Sequence, residues 1–293
     1  MRGRENVAIA VRRPDGELDV TSRPIASIYK GRLRNAPLIR GIIILIETLV
    51  LGIQALLHSA QIASAEASAE ASAEEGEEDM SPALMWGSLA IAITFAVALF
   101  FIFPLLLTRY LTDPYISSAV VSNLVEGLLR IGLFIAYLKL ISLMPDIRAV
   151  FAYHGAEHKV VNAYESGMPL ELGSVKGCST SHARCGTSFL LAVLVIAVVV
   201  FALLGRPPIW LSILSRIVLI PVIAAIGYEF VRFGSAHGQN RVVRGLLAPG
   251  LALQSMTTRE PNDSQLEAAL SALRKVIEAD NGDPFPSLWT EEG

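Results

Sequence analysis

The sequence predicts an all-α integral membrane protein with four or five transmembrane helices, an interfacial or re-entrant helix, a small N-terminal β-hairpin and a C-terminal cytoplasmic helix. Three observations predict it. Hydrophobic residues make up 53% of the 293-residue chain and charged ones only 17%, against about 25% charge in globular proteins. Several apolar runs reach the roughly 20 residues needed to cross a bilayer. Charge is also segregated, with basic residues crowding the N-terminus and acidic ones a single later stretch. A net charge of −3 argues against a nucleic-acid partner, and two cysteines are too few for a disulfide framework.

Residues 1–36 read as a cytoplasmic segment. Val7, Ile9 and Val11 alternate, Arg13-Pro14-Asp15-Gly16 supplies a turn, and Leu18 and Val20 alternate again, which is a hairpin pattern. A lone hairpin is marginal in water, so it is expected to pack on another part of the chain. The stretch ahead of the first apolar run is polar, basic and interrupted by Pro14 and Pro24, so no cleavable signal peptide is expected there.

Residues 37–107 are expected to form a two-helix membrane hairpin around an acidic external linker at 59–82. The first span runs from about Leu38 to Leu57 and contains Glu47. A carboxylate inside a span is costly and usually faces protein or a water-filled cavity; the plainer alternative is a pair with a neighbouring helix. The linker repeats Ser64-Ala65-Glu66-Ala67 and ends in Glu74-Glu75-Gly76-Glu77-Glu78-Asp79, with no aromatics and no core-facing stripe. The second span runs from about Ala83 to Leu107.

Residues 108–187 hold a charged apolar helix and a His/Cys region. The helix, about Ala119 to Met144, carries Glu126 and Arg130 at the spacing that lets them pair, and Lys139 beyond them. Three charges favour a buried, re-entrant or interfacial helix over a lipid-exposed span. Residues 188–231 contain a second membrane pair, Ser188 to Leu204 and Ile209 to about Phe230, joined by Gly205-Arg206-Pro207-Pro208. Residues 232–293 read as a cytoplasmic helical tail. Its first part, Arg241 to Met256, mixes basic and apolar residues and suits the membrane surface. Ser264-Gln265-Leu266-Glu267 is a capping-box pattern, opening a helix whose Leu266, Ala269, Leu270, Leu273, Val276 and Ile277 form a docking stripe. The end, Asn281 to Gly293, is expected to be loose.

Loop charge sets the expected orientation, because cytoplasmic loops carry the excess of Lys and Arg. Arg2, Arg4, Arg12, Arg13, Arg23, Lys30, Arg32, Arg34 and Arg40 precede most of the first span, and the next loop has only acids. The N-terminus is therefore expected inside and the acidic linker outside a cell membrane. A basic tail also inside requires an even number of crossings: four, with the charged third segment not crossing.

The chemistry concentrates in one window. Three of five histidines and both cysteines fall between His154 and Cys185. With Asp146 as N-cap and Gly167 and Pro169 as stop signals, a helix over about 147–166 places His154 and His158 on one face, since four residues turn about 400°. Glu165 lies near that face, and Glu157 about a quarter turn away, suited to act on a water rather than hold the metal. The order His-x-x-Glu-His is that of the inverted zincins, where two histidines bind zinc and the glutamate is general base. Cys178, His182 and Cys185 add nitrogen and sulfur donors that suit zinc. Glu229 is a further candidate ligand, or equally a partner for Arg232. His237 is a minor candidate and His58 an interfacial residue beside the acidic linker. The plainer alternatives are histidines hydrogen-bonded at the membrane surface and cysteines that merely pack. Catalytic zinc usually has three protein ligands and one open position, so six candidates are too many for one shell.

Met1-Arg2-Gly3-Arg4, Tyr153-His154-Gly155-Ala156-Glu157-His158-Lys159, His182-Ala183-Arg184-Cys185-Gly186-Thr187-Ser188-Phe189 and Pro249-Gly250-Leu251-Ala252-Leu253-Gln254 together resemble the YqhQ-like family. This is a family of bacterial multi-pass membrane proteins of unknown function, described as predicted metal-dependent enzymes. The resemblance spans nearly the whole chain, and its two central motifs are specific to the family. Members carry a few more residues ahead of the Met-Arg-Gly motif, so this chain is expected to be short at that end; the Ser-Ala-Glu linker is particular to it. The expected function is zinc-type, metal-dependent hydrolysis of a lipid or membrane-proximal substrate, with His154 and His158 as ligands and Glu157 as general base. The alternative is a non-enzymatic membrane assembly or scaffold protein with a structural metal, and a transporter is a third reading. Membrane lipids are the expected partners, and a second copy or another membrane protein stays open.

Overall fold

Alternation at the N-terminus produces an antiparallel hairpin, as expected. β1 (Asn6–Arg12) pairs with β2 (Leu18–Pro24) in the register Val7↔Arg23, Ile9↔Thr21 and Val11↔Asp19. The structure is a computed structural model that describes residues 1–13, 15–26, 36–71, 82–182, 185–237 and 239–280. The expectations for Pro14, Lys30, Arg32, Arg34, the acidic end of the linker, Arg184 and the Asn281–Gly293 tail lie outside the described residues.

Helices follow: α1 (Ile39–Ala71), α2 (Pro82–Val97), α3 (Phe103–Leu107), α4 (Ala119–Ile141), α5 (Pro145–Glu165), α6 (Leu172–Lys176), α7 (Gly186–Leu204), α8 (Ile209–Ala236), α9 (Arg241–Thr257) and α10 (Asp263–Ala279). Wider π turns at Ala98–Ile102 and Thr108–Thr112 join α2 and α3 into one rod. α1 runs past the expected end at Leu57 because the Ala- and Glu-rich stretch has high helix propensity. Among the described residues, four segments are long and apolar enough to cross a membrane: Ile39–Ile62, Gly87–Thr112, Gly186–Leu204 and Ile209–Ala236. The pair α4 and α5 passes that test together but is bent by 102° at the break between them.

The Gly87–Thr112 rod, α4, α7 and α8 pack as an antiparallel bundle. At one end Arg206 reaches Asp113 at 3.2 Å and the Ser118 carbonyl at 3.2 Å, while the Asn123 amide donates to the Gly205 carbonyl at 2.8 Å. At the other end α9 closes the bundle, with Leu253 among Phe134, Leu138 and Leu194 and the Gln254 amide donating to Ser188 Oγ at 2.8 Å. The charged third segment thus lies along α7 from end to end. Its charges are buried in the bundle: Glu126 accepts from Arg130 at 2.5 Å and from Arg216 of α8 at 2.7 Å. Arg216, which completes the network, was not singled out from the sequence. Leu128, Ile135, Val199, Leu203 and Val218 face outward.

A second, water-type core stands beyond the α9 end. The hairpin docks on α10 and α5, where Ala8, Val160, Ala163, Val175, Leu270 and Leu273 bury one another. The stripe on α10 therefore docks as expected. Its cap is Asn262 with Gln265 rather than Ser264 with Glu267: Asn caps as well as Ser, and Gln265 sits at the position that answers back. Asp146 likewise does not cap α5. Pro145, pre-set for a first helical position, starts the helix, and Asp146 sits in its first turn.

α1 contacts both the bundle and the N-terminal segment. Its first turns touch α8, Gly41 against Ala225 and Tyr228 and Ile44 against Tyr228 and Val231. Further along it meets the N-terminal segment, with Arg2 on Glu47 at 2.8 Å and Thr21 Oγ1 3.3 Å from His58 Nε2. Glu47 is thus paired with the N-terminal segment. His58 lies against the hairpin.

Candidate metal centre

One glycine lets the site form. α5 carries His154 and His158 one turn apart, and between them Gly155 lies against the backbone of Arg259, where any Cβ would collide with the carbonyl oxygen. That approach lays the Thr257–Arg259 segment along α5, with Arg259 N–H donating to the Phe151 carbonyl at 2.9 Å. The Thr257 carbonyl then accepts from His154 Nδ1 at 2.9 Å. His158 Nδ1 donates to the Thr180 carbonyl at 2.6 Å. The Asn162 amide pins that loop by donating to the carbonyls of Ser179 and Ser181 at 2.8 and 3.1 Å. A carbonyl only accepts, so both Nδ1 atoms carry hydrogen, and both Nε2 atoms are left for another partner. Metal-binding histidines are oriented in this way.

The partner is Cys185. It caps α7, taking the Thr187 N–H at 3.4 Å, and its Sγ lies 3.3 Å from His154 Nε2. Ligand atoms of His154, His158 and Cys185 all lie within 4.8 Å of one another. A tetrahedral zinc with the usual Zn–N and Zn–S bonds separates such N and S atoms by about 3.5 Å, so the set fits the ion. The rings of His154 and His158 meet edge to face with centroids 4.4 Å apart.

Electrostatics couple Cys185 to the two histidines. Burial opposes charge on Cys185, but hydrogen bonds and charge from His154 and His158 outweigh it and bring the thiol down to about 5. Burial likewise opposes charge on His154, yet the Cys185 sulfur, the Thr257 carbonyl and the Glu157 carboxylate raise it to about 9. Both shifts favour a thiolate–imidazolium pair. The helix N-terminus beneath Cys185 favours the thiolate as well.

The other expected donors are distributed around this trio. His182 stands beside it, its ring centroid 5.8 Å from that of His158, with Nε2 3.2 Å from Glu165. Glu157 is exposed on the flank of α5, close enough to influence His154. Cys178 does not join the trio: its Sγ contacts Met168 Sδ and the Ser174 carbonyl, both at 3.8 Å, and it packs on the α5–α10 core. Glu229 is held by Arg40, with Nε 2.6 Å away, and not by Arg232. His237 bonds the Phe233 carbonyl at 3.0 Å. Three of the six expected ligands converge, a fourth is adjacent and two belong to other contacts. Gln254, fully buried, was missed as a positioning residue: it takes the His182 N–H at 3.0 Å and returns a hydrogen bond to the His182 carbonyl at 2.8 Å. A glutamine on the apolar face of an otherwise amphipathic helix was the available signal. A separate cleft of about 540 Å³, lined by Glu171, Leu172, Asp263, Glu267 and Arg274, contains none of these donors; donor chemistry, not volume, identifies the site.

Comparison with known proteins agrees with the resemblance read from the motifs. A family described as "Protein of unknown function (DUF1385)" matches residues 36–279. The chain is 32% identical over 280 residues to "Uncharacterized protein YqhQ" of Bacillus subtilis (strain 168), covering 94% of this chain and 88% of that one. No solved structure matches.

Proposed function

Because the chain belongs to the DUF1385 family, whose description assigns no activity, we propose its function from the site: a membrane-embedded, zinc-type hydrolase acting on a lipid or membrane-proximal substrate. The observation that carries this reading is a convergent set of three donors, His154, His158 and Cys185, flanked by an exposed carboxylate at Glu157. Three ligands leave a position open, as catalytic zinc sites do. When bound, zinc would supply Lewis acidity and a nucleophile at neutral pH. The Thr257 and Thr180 carbonyls fix both rings. Glu157, which cannot share their face, takes the proton from the attacking water and passes it to the leaving group.

Val150, Tyr153 and Glu157 share one exposed face of α5, and exposed Leu143 and Met144 lead onto it from α4. This apolar approach fits an amphiphile. In the membrane arrangement that supports the reading, the Gly87–Thr112 rod, α4, α7 and α8 cross, and the metal centre faces the cytoplasm. Arg148, Lys159, Lys176, Arg241 and Arg244 lie at the metal-centre end, as cytoplasmic segments require. Four crossings keep both termini inside, with α4 rather than α1 as the fourth.

A structural metal in a scaffold is the rival, favoured by the burial of His158 and Cys185, 5% and 4% exposed. Glu157→Gln separates the two. The hydrolase loses activity by about 10²- to 10⁴-fold, read by complementation of a null strain, while retaining its metal. Full complementation by a metal-loaded variant would sink the hydrolase and leave the scaffold.

A further inference from the structure

The opposite end of the bundle carries an independent site. A polar cleft there is lined by Thr108, Arg109, Asp113, Glu126, Arg206 and Arg216. Three of the buried side-chain atoms that lack any hydrogen-bond partner among the described residues lie on these linings: Thr108 Oγ1, Arg206 Nε and Arg216 Nε. Thr108 is 3% exposed and Arg216 2%. Both nitrogens are pure donors, and the hydroxyl can donate as well.

The acceptors nearby are already committed. Glu126 spends one oxygen on Arg130 and the other on Arg216. Asp113 is shared by Arg109 at 3.6 Å, Arg206 at 3.2 Å and the Ser122 hydroxyl. Four guanidinium groups therefore face two carboxylates, which leaves excess positive charge and unused donors inside an apolar bundle. Unsatisfied buried donors and unpaired intramembrane charge are both costly. An acceptor-rich anion cancels both. The enclosed part of the cleft holds about 10 Å³ and opens at its mouth, which admits one oxygen of a ligand whose remainder stays outside.

We propose that this cleft binds a phosphate oxyanion, seating one oxygen against Thr108 and Arg216 with the rest of the group under Arg206. The chemistry is the same for the headgroup of an anionic phospholipid and for free phosphate. It does not rest on the metal reading, since the cleft shares no residue with that site.

The test uses the full-length protein purified in detergent, with metal content and helicity as checks on folding. Retention of phosphatidylglycerol against phosphatidylcholine is measured by native mass spectrometry, with and without inorganic phosphate. Thr108→Val keeps the shape and removes only the hydroxyl; Arg206→Gln removes the charge at the mouth. The proposal expects oxyanion binding that falls about ten-fold in Arg206→Gln and several-fold in Thr108→Val, as the loss of a charge-assisted and an ordinary hydrogen bond implies. Retained phosphatidylglycerol identifies a lipid headgroup. Inorganic phosphate bound without lipid preference identifies the free ion. Binding of neither, or binding unchanged in both folded variants, overturns the proposal.

Discussion

His154 and Cys185 show how far single residues could be read. The sequence placed His154 and His158 on one face from spacing alone, and the structure keeps them there. It could not choose between Cys178 and Cys185, because the choice depends on which sulfur the loop between α6 and α7 returns to α5. Two predictions belong at this scale. Gly155→Ala should push Arg259 away and release the Thr257 carbonyl from His154, lowering metal affinity by about 10- to 100-fold, as loss of an orienting partner does; competition with a zinc chelator measures it. The second concerns pH. Zinc must displace the proton that His154 holds up to about 9, so affinity should rise with pH until about 9 and then level. In the metal-free protein, His154 is raised, so its stabilisation is full below the ordinary imidazole value and is lost as pH rises through about 9. Cys185 is depressed, so its stabilisation is full above the ordinary thiol value and is lost as pH falls through about 5. Denaturant titrations across that range should show stability declining on both flanks, and Cys185→Ser should flatten both; a flat wild-type profile would refute the ion pair.

At the scale of elements, pattern was legible wherever one element's own sequence decides it, while both cap assignments missed by two residues, Met144 rather than Asp146 and Asn262 rather than Ser264. The hairpin, the ends of α7 and the docking stripe of α10 all follow from local alternation, Gly/Pro punctuation and periodicity. Interpretation failed where a distant partner decides. Glu126 and Arg130 could be paired from spacing, but not the second oxygen of Glu126, which Arg216, 86 residues after Arg130 in the numbering, occupies. The same blindness offered Arg232 as a partner for Glu229, which Arg40 at the start of α1 holds instead. Glu126→Gln tests the network. It leaves two buried guanidinium groups facing a neutral amide, a loss of about 3–5 kcal/mol for a broken buried pair. Thermal unfolding in detergent should show a drop of many degrees, while Glu267→Gln, on the exposed partner of Arg12, should change little.

For the whole molecule, composition announced a multi-pass helical chain, and four helices with the required length and apolarity are present. The charge rule counts loops and could not show that α4 runs the length of α7. The arrangement proposed here places the metal centre and the oxyanion cleft at opposite faces. Cysteines introduced into a chain lacking Cys178 and Cys185 should be labelled from outside intact cells at Ser117, beside the cleft, and not at Ser174 or Ser68. Labelling at Ser68 alone would restore α1 as a crossing, and labelling at Ser174 would invert the protein.

The central claim is that His154, His158 and Cys185 hold one metal. Elemental analysis of the purified protein beside three variants tests it most directly. About one zinc per chain is expected in the wild type and in Cys178→Ser, with loss in His154→Ala and in Cys185→Ser. Wild-type protein that contains no transition metal and takes up no added zinc would contradict the account, as would a Cys178→Ser variant that loses metal while Cys185→Ser retains it.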